Sequence, residues 1–257
     1  MTAPTNDKQI IVAFTLDFET GGLKCQDCAC TQIAIHAVRI DTFETIDRYV
    51  TYIAPYNKKL NKVPNRRKVL RTKYEQEETV PMFYEEKALT YSAITMETLE
   101  RQGINIEQVA SDVIQFIKKN TLSKGRNAKP FLIGQNIGFD IGFMQQLMEY
   151  GGQTSEWSKV MRGTNDYYGN FQPLYVDTIV LGQFALSHLE GMTSYKLEIM
   201  AERLGVELDD AHDADADVTA TTNVAMVCAK RMRNATGDGD GGMVMSKKEK
   251  SRVHFKI

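Results

Sequence analysis

The sequence predicts an α/β protein built on one mixed sheet with flanking helices. Three β-like stretches near the N-terminus, residues 10–19, 31–40 and 48–54, are joined by short polar connections that suit an antiparallel meander. The second half instead alternates apolar strand-like runs with helical patterns, which implies parallel crossovers. With 257 residues and 42% hydrophobic content, the chain is long enough to bury a full core.

The first stretch, "IIVAFTLDFET", divides between two faces, because successive strand side chains point opposite ways. Ile10, Val12, Phe14, Leu16 and Phe18 make one face, and Ile11, Ala13, Thr15, Asp17 and Glu19 the other. Asp17 and Glu19 therefore point the same way. Two neighbouring carboxylates that lose hydration need a shared proton, basic partners or a bound cation. By itself the stretch fits a solvated strand end beside Gly21 and Gly22 at least as well.

"TQIAIHAVRI" and "RYVTYIA" complete the meander, and the excursion over residues 57–80 has no apolar periodicity and reads as a long surface loop. Helical signals begin near Ser92. "NIEQVASDVIQFIKK" has Asn105 as N-cap and an apolar stripe through Val109, Val113, Phe116 and Ile117. "KPFLIGQN" is a buried strand, and "FDIGFMQQLMEYGG" a helix stopped by Gly151 and Gly152. "PLYVDTIVLGQFAL" is a strand entering a helix, "SYKLEIMAERLG" a helix capped by Ser194 and ended by Gly205, and one more helix follows His212. Residues 233–257, Gly-rich and then basic, read as a flexible C-terminal tail, leaving residues 1–232 as the folded domain.

A formal net charge of −2 argues against nucleic-acid binding through bulk charge. Locally, Lys58, Lys59, Lys62, Arg66, Arg67, Lys68, Arg71 and Lys73 form a basic segment without an acid. It reads as a phosphate track or, equally, as a solvated loop. The N-terminus lacks a basic region followed by an apolar core, and no apolar run approaches the roughly 20 residues of a membrane helix. A soluble, cytoplasmic protein without a membrane partner is expected. Cys25, Cys28 and Cys30 have metal-like spacing, but their conceivable fourth ligand, His36, falls within a strand alternation. They read as reduced thiols in a loop.

Two later segments add carboxylates. "GQNIGFD" places Asp140 in the first turn of a helix, where unpaired N–H groups favour an anion. "DDAHDADADV" places His212 before, and Asp217 at, the start of the last helix. Alone, each is an ordinary helix start. Asp213 and Asp215 are assigned to capping and solvation, and Asp209 and Asp210 to the loop. Phe139 is assigned to packing with Phe143 and Leu147 at helical spacing.

Written in order, the chain reads D-x-E-T at a strand end, N-x-x-F-D at a helix start and H-x-A-x-x-D at a helix start. Asp17 and Glu19, then Asn136, Phe139 and Asp140, then His212, Ala214 and Asp217 carry these motifs, which resemble those of the DEDDh subgroup of the DnaQ-like 3′-to-5′ exonucleases. The compatible region runs from about residue 8 to 232. Gln135 stands where many members have His, and the excursion at 57–80 exceeds a minimal domain of the family. The resemblance implies a ribonuclease H-like mixed sheet with flanking helices, and metal-dependent hydrolysis of single-stranded ends. DNA is the expected substrate, in proofreading or repair. An exoribonuclease, or a catalytically idle nucleic-acid-binding or polymerase-associated domain, are the alternatives.

By the same resemblance, two Mg²⁺ or Mn²⁺ ions are held by Asp17, Glu19, Asp140 and Asp217, whose hard oxygens suit those ions. His212 is the general base, and Thr20, Gly21, Gly22, Leu23 and Asn136 bind the terminal nucleotide. The implied partners are single-stranded DNA or RNA 3′ ends and a DNA polymerase or replication protein.

Overall fold

The computed structural model describes residues 9–58, 80–207 and 213–234. Its centre is a five-stranded sheet formed by β1 (Val12–Thr20), β2 (Cys30–Arg39), β3 (Thr45–Tyr52), β6 (Phe131–Gly134) and β9 (Tyr175–Asp177), in the order β3-β2-β1-β6-β9. β1, β2 and β3 pair antiparallel, and β6 and β9 run parallel to β1. Two small pairs lie outside it: β4 (Asn57–Lys58) with β5 (Val80–Pro81), and β7 (Gly163–Asn165) with β8 (Phe171–Pro173). The helices are α1 (Glu86–Tyr91), α2 (Met96–Gln102), α3 (Ile106–Asn120), α4 (Gly138–Tyr150), α5 (Thr154–Val160), α6 (Thr178–Leu186), α7 (Leu197–Leu204) and α8 (Ala214–Asn234).

The two faces of β1 meet different helices. Val12, Phe14, Leu16 and Phe18 are buried among Val109, Val113 and Phe116 of α3 and Phe143, Met144 and Leu147 of α4. Fully burying a side chain of this size stabilises the fold by about 1.5–3 kcal/mol. On the other face Ala13 packs with Ile133 of β6 and Ala225 of α8, and Ala34 of β2 packs with Ala214 and Val218. Small residues at these contacts let α8 lie close to the sheet.

The helix ends follow their caps. The Asn105 side chain accepts the Glu107 N–H at the start of α3, and Gly205 ends α7 in the left-handed conformation. Ser194 does not cap α7 as expected. Its Oγ accepts only the Lys196 N–H, and the helix begins at Leu197. Helix starts earlier than the expected beginning near Ser92: α1 already ends at Tyr91, and α2 follows at Met96 after a turn in which Ala93 has φ +54°.

Candidate active site

Strand β1 delivers two carboxylates to one place. Asp17 and Glu19 alternate onto the face covered by α8, opposite Ala34 and Gln32 of β2. The first turn of α8 delivers Asp217, whose N–H donates to the Asp213 carbonyl. Ligand oxygens of Asp17, Glu19 and Asp217 all lie within 4.8 Å of one another, the single such acidic cluster among the described residues.

Asp140 belongs to α4, on the opposite side of the sheet from α8, and stands near enough to Asp17 to repel its carboxylate. Strand β6 ends at Gly134, so β1 loses its parallel partner beyond Thr15. The Phe18 N–H, with no strand left to receive it, donates to Asp140 Oδ1 at 3.1 Å. Asp140 is 3% exposed and sits in the first turn of α4.

The electrostatics are those of an anionic hole. Burial, then repulsion from Asp140, Glu19 and Asp217, holds the Asp17 carboxyl well above its ordinary range. Burial and the Asp217 carboxylate push Glu19 up to about 7. Asp140 is pushed up to about 8, chiefly by burial, against the opposing hydrogen bond from Phe18. Among the described residues, every neighbouring charge that shifts Asp17 is another carboxylate. A cluster of hard oxygen donors repelling one another in a buried setting fits a divalent cation such as Mg²⁺ or Mn²⁺.

The sequence-predicted substrate residues lie at the end of β1 and in the turn that follows it, and in the turn between β6 and α4. Thr20 Oγ1 donates to the Gly22 carbonyl at 2.9 Å, and Gly21 is stitched to the next segments by its N–H on Ala29 O and its carbonyl on Glu85 N–H. Gly22 has φ +153°, and a Cβ there would meet Cys28 Sγ at 2.6 Å. The turn thus excludes any larger residue, and it presents Leu23, 80% exposed, to solvent. Asn136 is exposed at φ +53°, with its N–H on Asp177 Oδ1. His212 lies outside the described residues, as do residues 59–79 of the basic segment, Asp209 and Asp210. Phe139 packs on Phe143 with ring centroids 5.0 Å apart, as its helical spacing predicts.

Two findings depart from the sequence reading. Asp213 caps α8 by accepting the Ala216 N–H, but Asp215 is not merely solvated: its Oδ1 accepts from the buried His36 Nε2 at 2.5 Å. No local signal pairs residues 36 and 215, because only the crossing of α8 over β2 brings them together. Asp177, unassigned in the sequence, accepts the Ile179 and Asn136 N–H groups and so fixes both α6 and the turn after β6. Its place just before an apolar helix was the available signal. Among the cysteines, Cys25, Cys28, Cys30 and Cys228 are all free thiols.

A fold of this order with acids gathered at the ends of β1, α4 and α8 defines a nuclease-like α/β protein. The RNase_T family model, described as Exonuclease, matches residues 75–225, and the chain belongs to that exonuclease family. No curated protein sequence matches it. Among solved structures, E. coli Exonuclease I in complex with a dT13 oligonucleotide is similar at 20% identity and a TM-score of 0.60, over 86% of this chain and 42% of that one. The zinc-bound form of the E. coli ExoI–ssDNA complex matches at 19% identity and a TM-score of 0.60, over 88% and 42%. An ExoI/SSB-Ct complex matches at 19% identity and a TM-score of 0.58, over 87% and 42%. The present chain therefore spans less than half the length of these structures, and the likeness shows their mixed α/β exonuclease fold. No helix among the described residues is long and apolar enough to cross a membrane.

Proposed function

We propose that this exonuclease acts from 3′ to 5′ on single-stranded ends, DNA before RNA, as a cytoplasmic enzyme of the DEDDh type with residues 1–232 as its catalytic domain. The observation that carries the reading is the gathering of Asp17, Glu19 and Asp217 within 4.8 Å, with Asp140 close enough to raise the Asp17 pKa. Asp17, between the other acids, would be shared by two divalent ions, with Glu19, Asp217 and Asp140 completing their sites. Two Mg²⁺ or Mn²⁺ ions there would stabilise the attacking and leaving oxygens of phosphodiester hydrolysis.

The remaining residues hold substrate and move a proton. The Thr20–Leu23 turn and Asn136 would receive the terminal nucleotide, Leu23 offering an apolar face to the base or sugar. His212, five residues before Asp217, would act as general base on the attacking water, a role suited to an imidazole with a pKa near neutrality. The DNA preference is supported by the likeness to Exonuclease I bound to single-stranded DNA. The ExoI/SSB-Ct likeness supports a replication protein, rather than a polymerase, as the protein partner.

Matched DNA and RNA oligonucleotides labelled at the 5′ end test the reading. A ladder shortening from the 3′ end in Mg²⁺ or Mn²⁺, faster on DNA and abolished by EDTA, is expected. Faster RNA decay identifies an exoribonuclease, and tight end binding without cleavage in either metal identifies an idle domain.

A further inference from the structure

His36 sits at the middle of β2, 0% exposed, directly opposite Thr15 of β1 and Arg48 of β3. Its Nε2 meets Asp215 Oδ1 at 2.5 Å, and Arg48 approaches Asp215 Oδ2 at 3.6 Å. Burial pushes the imidazole below its ordinary range, with Asp215 opposing, so Nε2 donates from a neutral ring. Its Nδ1 has no hydrogen-bond partner among the described residues. A buried ring with one nitrogen unpaired is a poor core filler, since an apolar side chain would leave no polar atom stranded. What the imidazole supplies is one directed bond to the first turn of α8.

The angular arrangement shows what that bond can hold. At about 100° per residue, Ala214 and Val218, which pack on Ala34, mark the line along which α8 touches β2. Asp215 and Asp217 then lie on opposite sides of that line, each about 80° from it. The later turns of α8 pack through Ala220, Val224 and Cys228 against α6 and α7, whereas at its first turn alanine and valine on alanine interlock little with β2 and leave the local roll weakly fixed. A side-chain carboxylate stands about 5–6 Å from the axis, so a roll of about 10° would carry it roughly 1 Å. A bond on the Asp215 flank opposes that roll.

We propose that His36 and Asp215 are positioning residues for Asp217, fixing the roll of α8 so that the Asp217 carboxylate meets those of Asp17 and Glu19. The inference rests on the metal-site reading above. His36 touches neither substrate nor metal in this scheme. It acts through Asp215 on the helix that carries a ligand.

Calorimetric titration of Mn²⁺ into the full chain, beside thermal melting without metal, separates this role from a merely structural one. His36→Leu fills the space without a donor, and Asp215→Ala removes the acceptor in favour of the best helix former. Each is expected to weaken Mn²⁺ binding about 10-fold or more, the usual scale for removing a partner that orients a ligand, while the metal-free protein still melts cooperatively. His36→Gln, which places an N–H near the position of Nε2, is expected to recover most of the affinity. Wild-type Mn²⁺ affinity in Asp215→Ala overturns the proposal, and decides it alone should His36→Leu fail to fold. Asp17→Asn is the control for the site itself: wild-type protein that binds Mn²⁺ no better than Asp17→Asn overturns the metal reading, and this inference with it.

Discussion

Asp140 Oδ1 accepts the backbone N–H of Phe18 at 3.1 Å, and Phe18 stands between the two carboxylates of β1. One side chain of α4 thus does two things: it closes the hydrogen bonding of β1 where β6 has ended, and it sets a further acid near Asp17. Asp140→Asn keeps an acceptor for Phe18 while removing the charge, whereas Asp140→Ala strands a buried N–H at a cost of about 1–3 kcal/mol. Both variants are expected to lose cleavage, and only Asp140→Ala to melt earlier than wild type. Equal melting temperatures for the two would show that the bond to Phe18 contributes nothing to stability.

Much of this site was legible in the sequence, for a specific reason. The two-residue period of β1 put Asp17 and Glu19 on one face, and the caps and stops of α3, α4 and α7 followed from Asn105, Gly151 and Gly205. What stayed hidden needed either length or tertiary contact. Helix α1 buries none of its residues, so it has no apolar stripe to read, and β4, β5, β7 and β8 are too short for alternation. The His36–Asp215 bond spans 179 residues and exists only because α8 crosses β2.

Removing the charge of Asp17 takes away the carboxylate proposed to be shared by both ions. If that charge accounts for several kcal/mol of transition-state stabilisation, Asp17→Asn cleaves about 10²–10⁴-fold more slowly. In EDTA the same variant is expected to melt at or above the wild-type temperature, because a buried and repelled anion has gone. Oligonucleotide hydrolysis and thermal melting check the pair of outcomes. Wild-type turnover by the variant would refute the role of Asp17.

The raised acids give stability a definite pH slope. Glu19 and Asp140 ionise near 4.5 and 3.8 in an unfolded chain, but at about 7 and 8 in the metal-free fold. Across that interval the folded protein holds the extra protons, so its stability falls as pH rises and the loss is complete above about pH 8. Melting in EDTA is expected to drop between about pH 5 and pH 8, and Asp140→Asn to drop less. Saturating Mn²⁺ favours the ionised carboxylates and should stabilise most at the alkaline end. An EDTA melting temperature that climbs through this range would contradict the anionic-hole description.

His212→Ala separates proton transfer from metal binding. A general base contributes on the order of 10²–10⁴ in rate, so turnover should fall by that scale while Mn²⁺ affinity stays close to wild type. The wild-type rate is expected to rise with pH as the imidazole loses its proton, and the His-dependent part of that limb to vanish in the variant. An unchanged rate and pH profile would remove His212 from the mechanism.

The basic segment from Lys58 to Lys73 gathers eight Lys and Arg residues without an acid in a chain of net charge −2. Lys58, its first residue, pairs with Asp27 at 2.5 Å in the loop that follows β1. If Arg66, Arg67, Lys68 and Arg71 contact phosphates, replacing all four with Ala should weaken binding of long single strands. It should also flatten the salt dependence, each lost contact removing roughly 0.7 from the log–log slope. Dinucleotides and trinucleotides, which on this proposal would occupy only the terminal-nucleotide turn, should bind as before, and turnover at saturation should persist because the four acids are untouched. Affinity measured from low to moderate salt with long and short oligonucleotides checks both arms. An unchanged slope for long strands would place the substrate path along another face of the molecule.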